Sequence, residues 1–156
     1  MMVEEAIIES TIDHYESNEE VYVNSLTDLM EHQPALLAFL NQESTDILKE
    51  EEKDILWYIT LIIYDSVVRS GIDISKISDS ALGENEEKNW SILQEQSRGS
   101  FRERITPFFD EYQEEDLLAF VEDTLEAEDY STITSVGREV IFISSKSIID
   151  TLLPSK

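Results

Sequence analysis

One stretch constrains this chain more than any other. Between Ile55 and Tyr64 the only polar residue is Thr60. A helix that is apolar on every side has to be surrounded by other elements. The run is about half of the ~20 residues that a membrane-spanning helix needs, so it reads as a buried core segment. Its flanks carry helix punctuation. Ser44 or Thr45 is placed to cap a start, and Gly71 stands where a left-handed residue closes a helix. The spacing predicts a helix over 45–70 at the centre of the fold.

Other segments read as helices that pack around it. Residues 3–16 carry Ala6, Ile7, Ile8, Ile12 and Tyr15 toward one side. Ser17-Asn18-Glu19-Glu20 has the form of a capping box and opens a helix over 18–32, with Val21, Leu26, Leu29 and Met30 inward. Pro34 suits the first turn of a short helix over 34–42 carrying Leu36, Leu37, Phe39 and Leu40. A connection over 71–84 alternates Ile72, Ile74, Ile77 and Leu82 with Asp, Ser and Gly. Its apolar residues place it against the core, and connections of this length are often functional or mobile. Helices follow at about 85–97, 100–112, 114–128 and 132–153. Gly99 is a stop, Ser100 to Glu103 is a second capping box, and Thr106-Pro107 restarts or kinks the chain.

Residues 132–144 admit two readings. Thr132 to Val136 and Glu139 to Ile143, joined by Gly137-Arg138, are spaced like a hairpin with a Gly-first turn. Val136, Val140, Ile141, Ser144, Ile148 and Leu152 instead make a helical stripe, and the helix is the favoured reading. The expected fold is therefore all-α: one globular domain over 1–156, with seven or eight helices around the 45–70 helix. Leu36-Leu37-Ala38-Phe39-Leu40 is echoed by Leu117-Leu118-Ala119-Phe120-Val121. At the same offset Ile59, Ile62, Val67 and Val68 fall on Val140, Ile143, Ile148 and Ile149. Two half-repeats, 1–70 and 85–156, would give such an echo, and so would chance use of common core residues.

Charge narrows the function classes. The chain carries 35 Asp and Glu against 11 Lys and Arg, a net charge of −24. Such a surface repels phosphates, which disfavours direct nucleic-acid binding and anionic membranes. It fits a solubility role, attraction to a basic protein partner, or a salty cytoplasm. Cysteine is absent, which excludes disulfides, thiolate catalysis and Cys-ligated zinc. Met1-Met2-Val3-Glu4-Glu5 lacks the basic start of a signal peptide, so the cytoplasm is the expected address.

Motifs for catalysis are missing. The glycines at 71, 83, 99 and 137 are isolated, so no phosphate-binding loop is formed. No EF-hand pattern follows Asp73. Asp28 and His32 are one helical turn apart with Glu31 beside them, and such a trio can lend ligands to a metal. Glu5, Glu9, Asp13 and Glu16 run along the first helix, as on an ordinary solvated face. Arg98, Arg102 and Arg104, with Trp90 and Phe101 near them, stand out against the acidic background. Clustered guanidinium groups of this kind hold an anionic ligand or acidic peptide; the plainer account is that they neutralise Glu95, Glu103 and Asp110. Trp57, Tyr58 and Tyr64 on the central helix read as core packing.

The leading expectation is a non-catalytic interaction or regulatory module without a cofactor. An acidic surface would steer a basic partner, and an apolar groove near 71–84 would supply affinity. The alternatives are a small helical metal-binding protein or enzyme using Asp28 and His32, and a nucleic-acid mimic that occupies a basic cleft.

Overall fold

The computed structural model describes residues 2–42, 45–96, 98–126 and 133–154. Among them the regular structure is helical and no strand occurs. The helices are α1 (Glu5–Ser17), α2 (Glu19–His32), α3 (Pro34–Leu40), α4 (Glu50–Arg69), α5 (Asp79–Glu95), α6 (Phe101–Ile105), α7 (Glu115–Glu126) and α8 (Ser135–Leu152), with a 3-10 turn at Thr106–Phe109 after α6. The all-α expectation holds. None of the described helices is long and apolar enough to cross a membrane.

The core is shared by two helices. α4 is buried almost continuously from Ile55 to Ile63, as its apolar sequence requires. α8 goes further, with every residue from Val140 to Ile149 buried. α4 packs against α1 and α8, and α5 and α7 pack along α8. The β-prone Val140-Ile141-Phe142-Ile143 is therefore helical, because burial on all sides outweighs local propensity. Thr134 opens α8, its Oγ1 accepting from the Gly137 amide at 2.9 Å. The hairpin reading fails over the described part of 132–144; Thr132 itself lies outside the described residues.

Several boundaries differ from the expected ones for local reasons. The helix expected over 45–70 starts at Glu50. Thr45 sits in a turn, its hydroxyl shared between the carbonyls of Leu40 and Gln42 at 3.0 and 2.7 Å; Ser44 lies outside the described residues. Glu52 Oε1 accepts the Lys49 amide at 2.9 Å, and three glutamates fill the first turn, where the helix dipole favours them. Gly71 takes φ +82° at the end of α4, as a left-handed residue should. Ser17 is the last residue of α1 and bonds back to His14. The cap of α2 is Asn18, whose Oδ1 accepts the Glu20 amide at 2.9 Å. Ala6 and Met30, expected inward, are exposed. Thr11 takes the inward place on α1, its hydroxyl satisfied by Ile7 O at 2.8 Å.

The connection after α4 is shorter than expected. Ser78 caps α5 through the Ala81 amide at 3.1 Å, so Gly83 falls inside that helix. Buried Gln33 holds the connection in place. Its Nε2 donates to Ser75 O at 3.0 Å and its Oε1 accepts the Ile77 amide at 2.9 Å. In the second half Ser100 and Glu103 form the expected capping box. The helix ends at Ile105 and passes into the 3-10 turn, because Pro107 has no amide to donate.

Candidate functional site

The arginines are largely engaged within the fold. Arg104 donates from Nε to Gln96 O at 2.5 Å and from its guanidinium to Glu139 Oε1 at 2.7 Å. Arg102, 73% exposed, lies 3.7 Å from Glu122. Arg98 is exposed in the bend before α6, off any helix, and Gly99 beside it takes φ +103°. Trp90 is half-buried on α5 and packs against the core. The neutralising partners are thus Glu122 and Glu139, not the sequence neighbours Glu95, Glu103 and Asp110. A fourth guanidinium, Arg138, stacks 5.6 Å over the Phe101 ring.

Asp28, Glu31 and His32 do converge, with one ligand atom from each within 4.8 Å of the others. All three are exposed, and His32 Nδ1 is bonded to Asp28 O at 2.8 Å. An ordinary solvated helix face accounts for them.

A buried polar cluster lies between α5, α8 and Tyr112. Lys146 Nζ is 2.8 Å from Asp150 Oδ2 and 3.3 Å from Asn89 Oδ1, and sits 4.3 Å over the Tyr112 ring. The Tyr112 hydroxyl donates to Asp150 Oδ1 at 2.6 Å. Asn89 Nδ2 donates to Ser147 Oγ and Asp150 Oδ2, both at 3.1 Å. Burial pulls the Lys146 ammonium below the usual lysine range while Asp150 pushes it back up. Burial also raises the Tyr112 hydroxyl, and the Asp150 charge adds to the effect. These are groups with catalytic chemistry, yet they satisfy one another. None of Lys146, Asp150 and Tyr112 lines the three cavities described among these residues. The cluster ties α8 to α5 and to Tyr112 as a lock. Its sequence signal was Ser144-Ser145-Lys146-Ser147 inside an otherwise apolar helix.

Two of the cavities among the described residues adjoin α7 or the turn before it. One, about 580 Å³, lies where the sequence suggested a groove, between the Ile72–Ala81 segment, Gln113 and Glu114 just before α7, and the C-terminal end of α8. Its lining is mixed, with Ile72, Ile77 and Leu152 beside Asp73, Lys76, Gln113 and Glu114.

The second, about 400 Å³, is a groove between α1 and α7. Ile8 and Ile12 of α1, Ala119 and Phe120 of α7 and Tyr58 of α4 make its apolar floor. Tyr58 and Phe120 meet with ring centroids 6.5 Å apart. Glu5 and Glu9 edge one wall and Asp116 and Asp123 the other, and among the described residues no Lys or Arg lines it. Two tethers fix the walls at one end. Glu114 accepts the Val3 amide at 2.9 Å, and Asp116 accepts the Glu5 amide at 3.1 Å. Local sequence reading took Glu5 and Glu9 for a solvated face. That α7 lies opposite them is a fact of tertiary packing, which helical periodicity does not carry.

Set against protein-family models, curated proteins and solved structures, the chain matches none.

Proposed function

We propose that this protein is a non-catalytic module that docks a basic protein partner, and that the α1–α7 groove is where it does so. The observation that carries the reading is the pairing of an apolar floor with a rim whose charged groups, among the described residues, are all carboxylates. Net charge by itself speaks equally for solubility. An apolar groove with a one-signed rim adds what a docking surface needs, with burial for affinity and charge for steering and orientation. Even one-to-one pairing of all 11 cations would leave 24 of the 35 carboxylates without a cationic partner, so a cationic protein is drawn in from a distance. The groove also favours a protein segment over the nucleic-acid-cleft reading, because a surface that imitates phosphates has no use for an apolar floor.

The test is a capture experiment run in parallel on two forms of the protein. Tagged wild type and Ala119→Trp are incubated with native lysate at low salt and eluted with a salt ramp. Ala119 is half-buried and lines the groove, so the indole fills the groove rather than the core. The expected result is a basic protein released from wild type by salt and at least tenfold depleted on the variant. Equal capture by both forms, or no salt-released protein at all, would overturn the reading.

A further inference from the structure

We infer that the groove takes an amphipathic, cationic α-helix, engaged over about two turns; this rests on the docking role proposed above. The partner's form follows from what the groove offers and what it lacks. Its walls are helices, whose interior amides and carbonyls are already paired along their own axes. An extended peptide brings one backbone donor and one acceptor per residue, and each needs a partner when buried. Peptides that bind in extended form find those partners on a sheet edge, and the described part of this fold has no strand. The polar atoms along the groove are carboxylate oxygens, with the hydroxyls of Thr124 and Tyr58; the Thr124 hydroxyl already donates to Phe120 O at 2.8 Å. Carboxylates accept but do not donate, and one tyrosine hydroxyl cannot serve a row of carbonyls, so those of an extended chain would go unmet. A helix satisfies its own backbone and presents only side chains.

Dimensions and charge agree. From Asp116 to Thr124 the α7 wall spans nine residues, a rise of about 12 Å at ~1.5 Å per step. That length meets two turns of a partner helix, with apolar anchors at i, i+3 or i+4, and i+7. The anchors fall on Ile8, Ile12, Ala119 and Phe120. Lys or Arg on either side of the anchor stripe then meets Glu5 and Glu9 on one rim and Asp116 and Asp123 on the other. A basic helix with an unbroken apolar stripe is the ligand that satisfies both.

Two synthetic peptides test this. Each has about 16 residues, enough for a marginal helix in water, with Leu at i, i+3, i+4 and i+7 and Lys flanking the stripe. They differ by one Gln→Pro exchange at the centre of the polar face, which breaks the helix and leaves charge and anchors unchanged. Binding is read by fluorescence anisotropy at low and physiological salt, with amide shifts mapped on labelled protein and circular dichroism of the complex. The helical peptide should bind at least tenfold tighter than its proline form, gain helical signal, and shift amides of α1 and α7. Ala119→Trp should weaken it at least tenfold while the protein's own spectrum and melting temperature hold. If that variant misfolds, the exposed pair Glu9→Lys and Asp123→Lys takes its place. Equal binding of both peptides, with shifts in the groove, would overturn the helical form and leave the docking role standing. Shifts elsewhere, or no binding by either peptide, would overturn both.

Discussion

Glu52 is a single carboxylate that serves two helix starts. One oxygen accepts the Lys49 amide at the head of α4. The other accepts the Thr134 amide and hydroxyl at the head of α8, at 2.8 and 2.9 Å. The side chain is buried to 2% exposure, and Gly137 makes room for it, since a Cβ there would overlap Glu52 Oε2. Burial alone would raise the carboxyl's pKa, but the bonds from Lys49 and Thr134 bring it below the usual range. A depressed pKa means stability that is present above the unfolded-state value and lost as pH falls through the folded one. Glu52→Gln should therefore cost about 1–3 kcal/mol at pH 7, the range for hydrogen bonds to a buried charged group. The gap to wild type should narrow as pH drops below about 4. Urea unfolding at several pH values measures this, and a gap that stays constant with pH would rule the mechanism out. None of it was legible in the sequence. Glu50-Glu51-Glu52 reads as a charge run, and the partner Thr134 is 82 residues away.

At the scale of elements, punctuation was legible and extent was not. Gly71, Ser100 with Glu103, and Pro107 act as their residue types require, because each works through bonds to near neighbours. The start of α4 was missed because Glu52 sets it together with a distant loop. α8 was the hardest element, since Glu139 to Ile143 after Gly137-Arg138 also reads as a hairpin arm. Polar residues in its second half make the lock between α5 and α8, and the lock can be tested as a unit. Asp150→Ala leaves the Lys146 ammonium buried without its counter-ion and should cost about 3–5 kcal/mol. The double variant Lys146→Met with Asp150→Leu removes both charges and should recover most of that loss. A double variant as unstable as the single one in urea titrations would show that packing, rather than the stranded charge, sets the cost.

The whole molecule carries its charge as internal pressure. Asp65, Glu86, Glu114 and Glu122 all have carboxyl groups pushed upward, first by burial. A raised folded-state pKa contributes stability that is full below the ordinary carboxylate value and is lost as pH rises through the folded one. Mild acidification from neutral toward pH ~5 should accordingly raise the melting temperature by a few degrees, and added salt at pH 7 should do the same by screening like charges. A melting temperature that falls over that pH interval, or is indifferent to salt, would contradict this. The two tethers of the groove have a kinetic side as well. Val3 bonds to Glu114 and Glu5 to Asp116, each across 111 residues of chain. Contacts of such sequence separation carry a high loop-closure entropy. On that ground the two walls of the groove are expected to meet after the more local contacts of the intervening chain. A partner that reads the groove would recognise finished molecules and pass over partly folded ones. By binding the native state alone it would also hold that last closure shut.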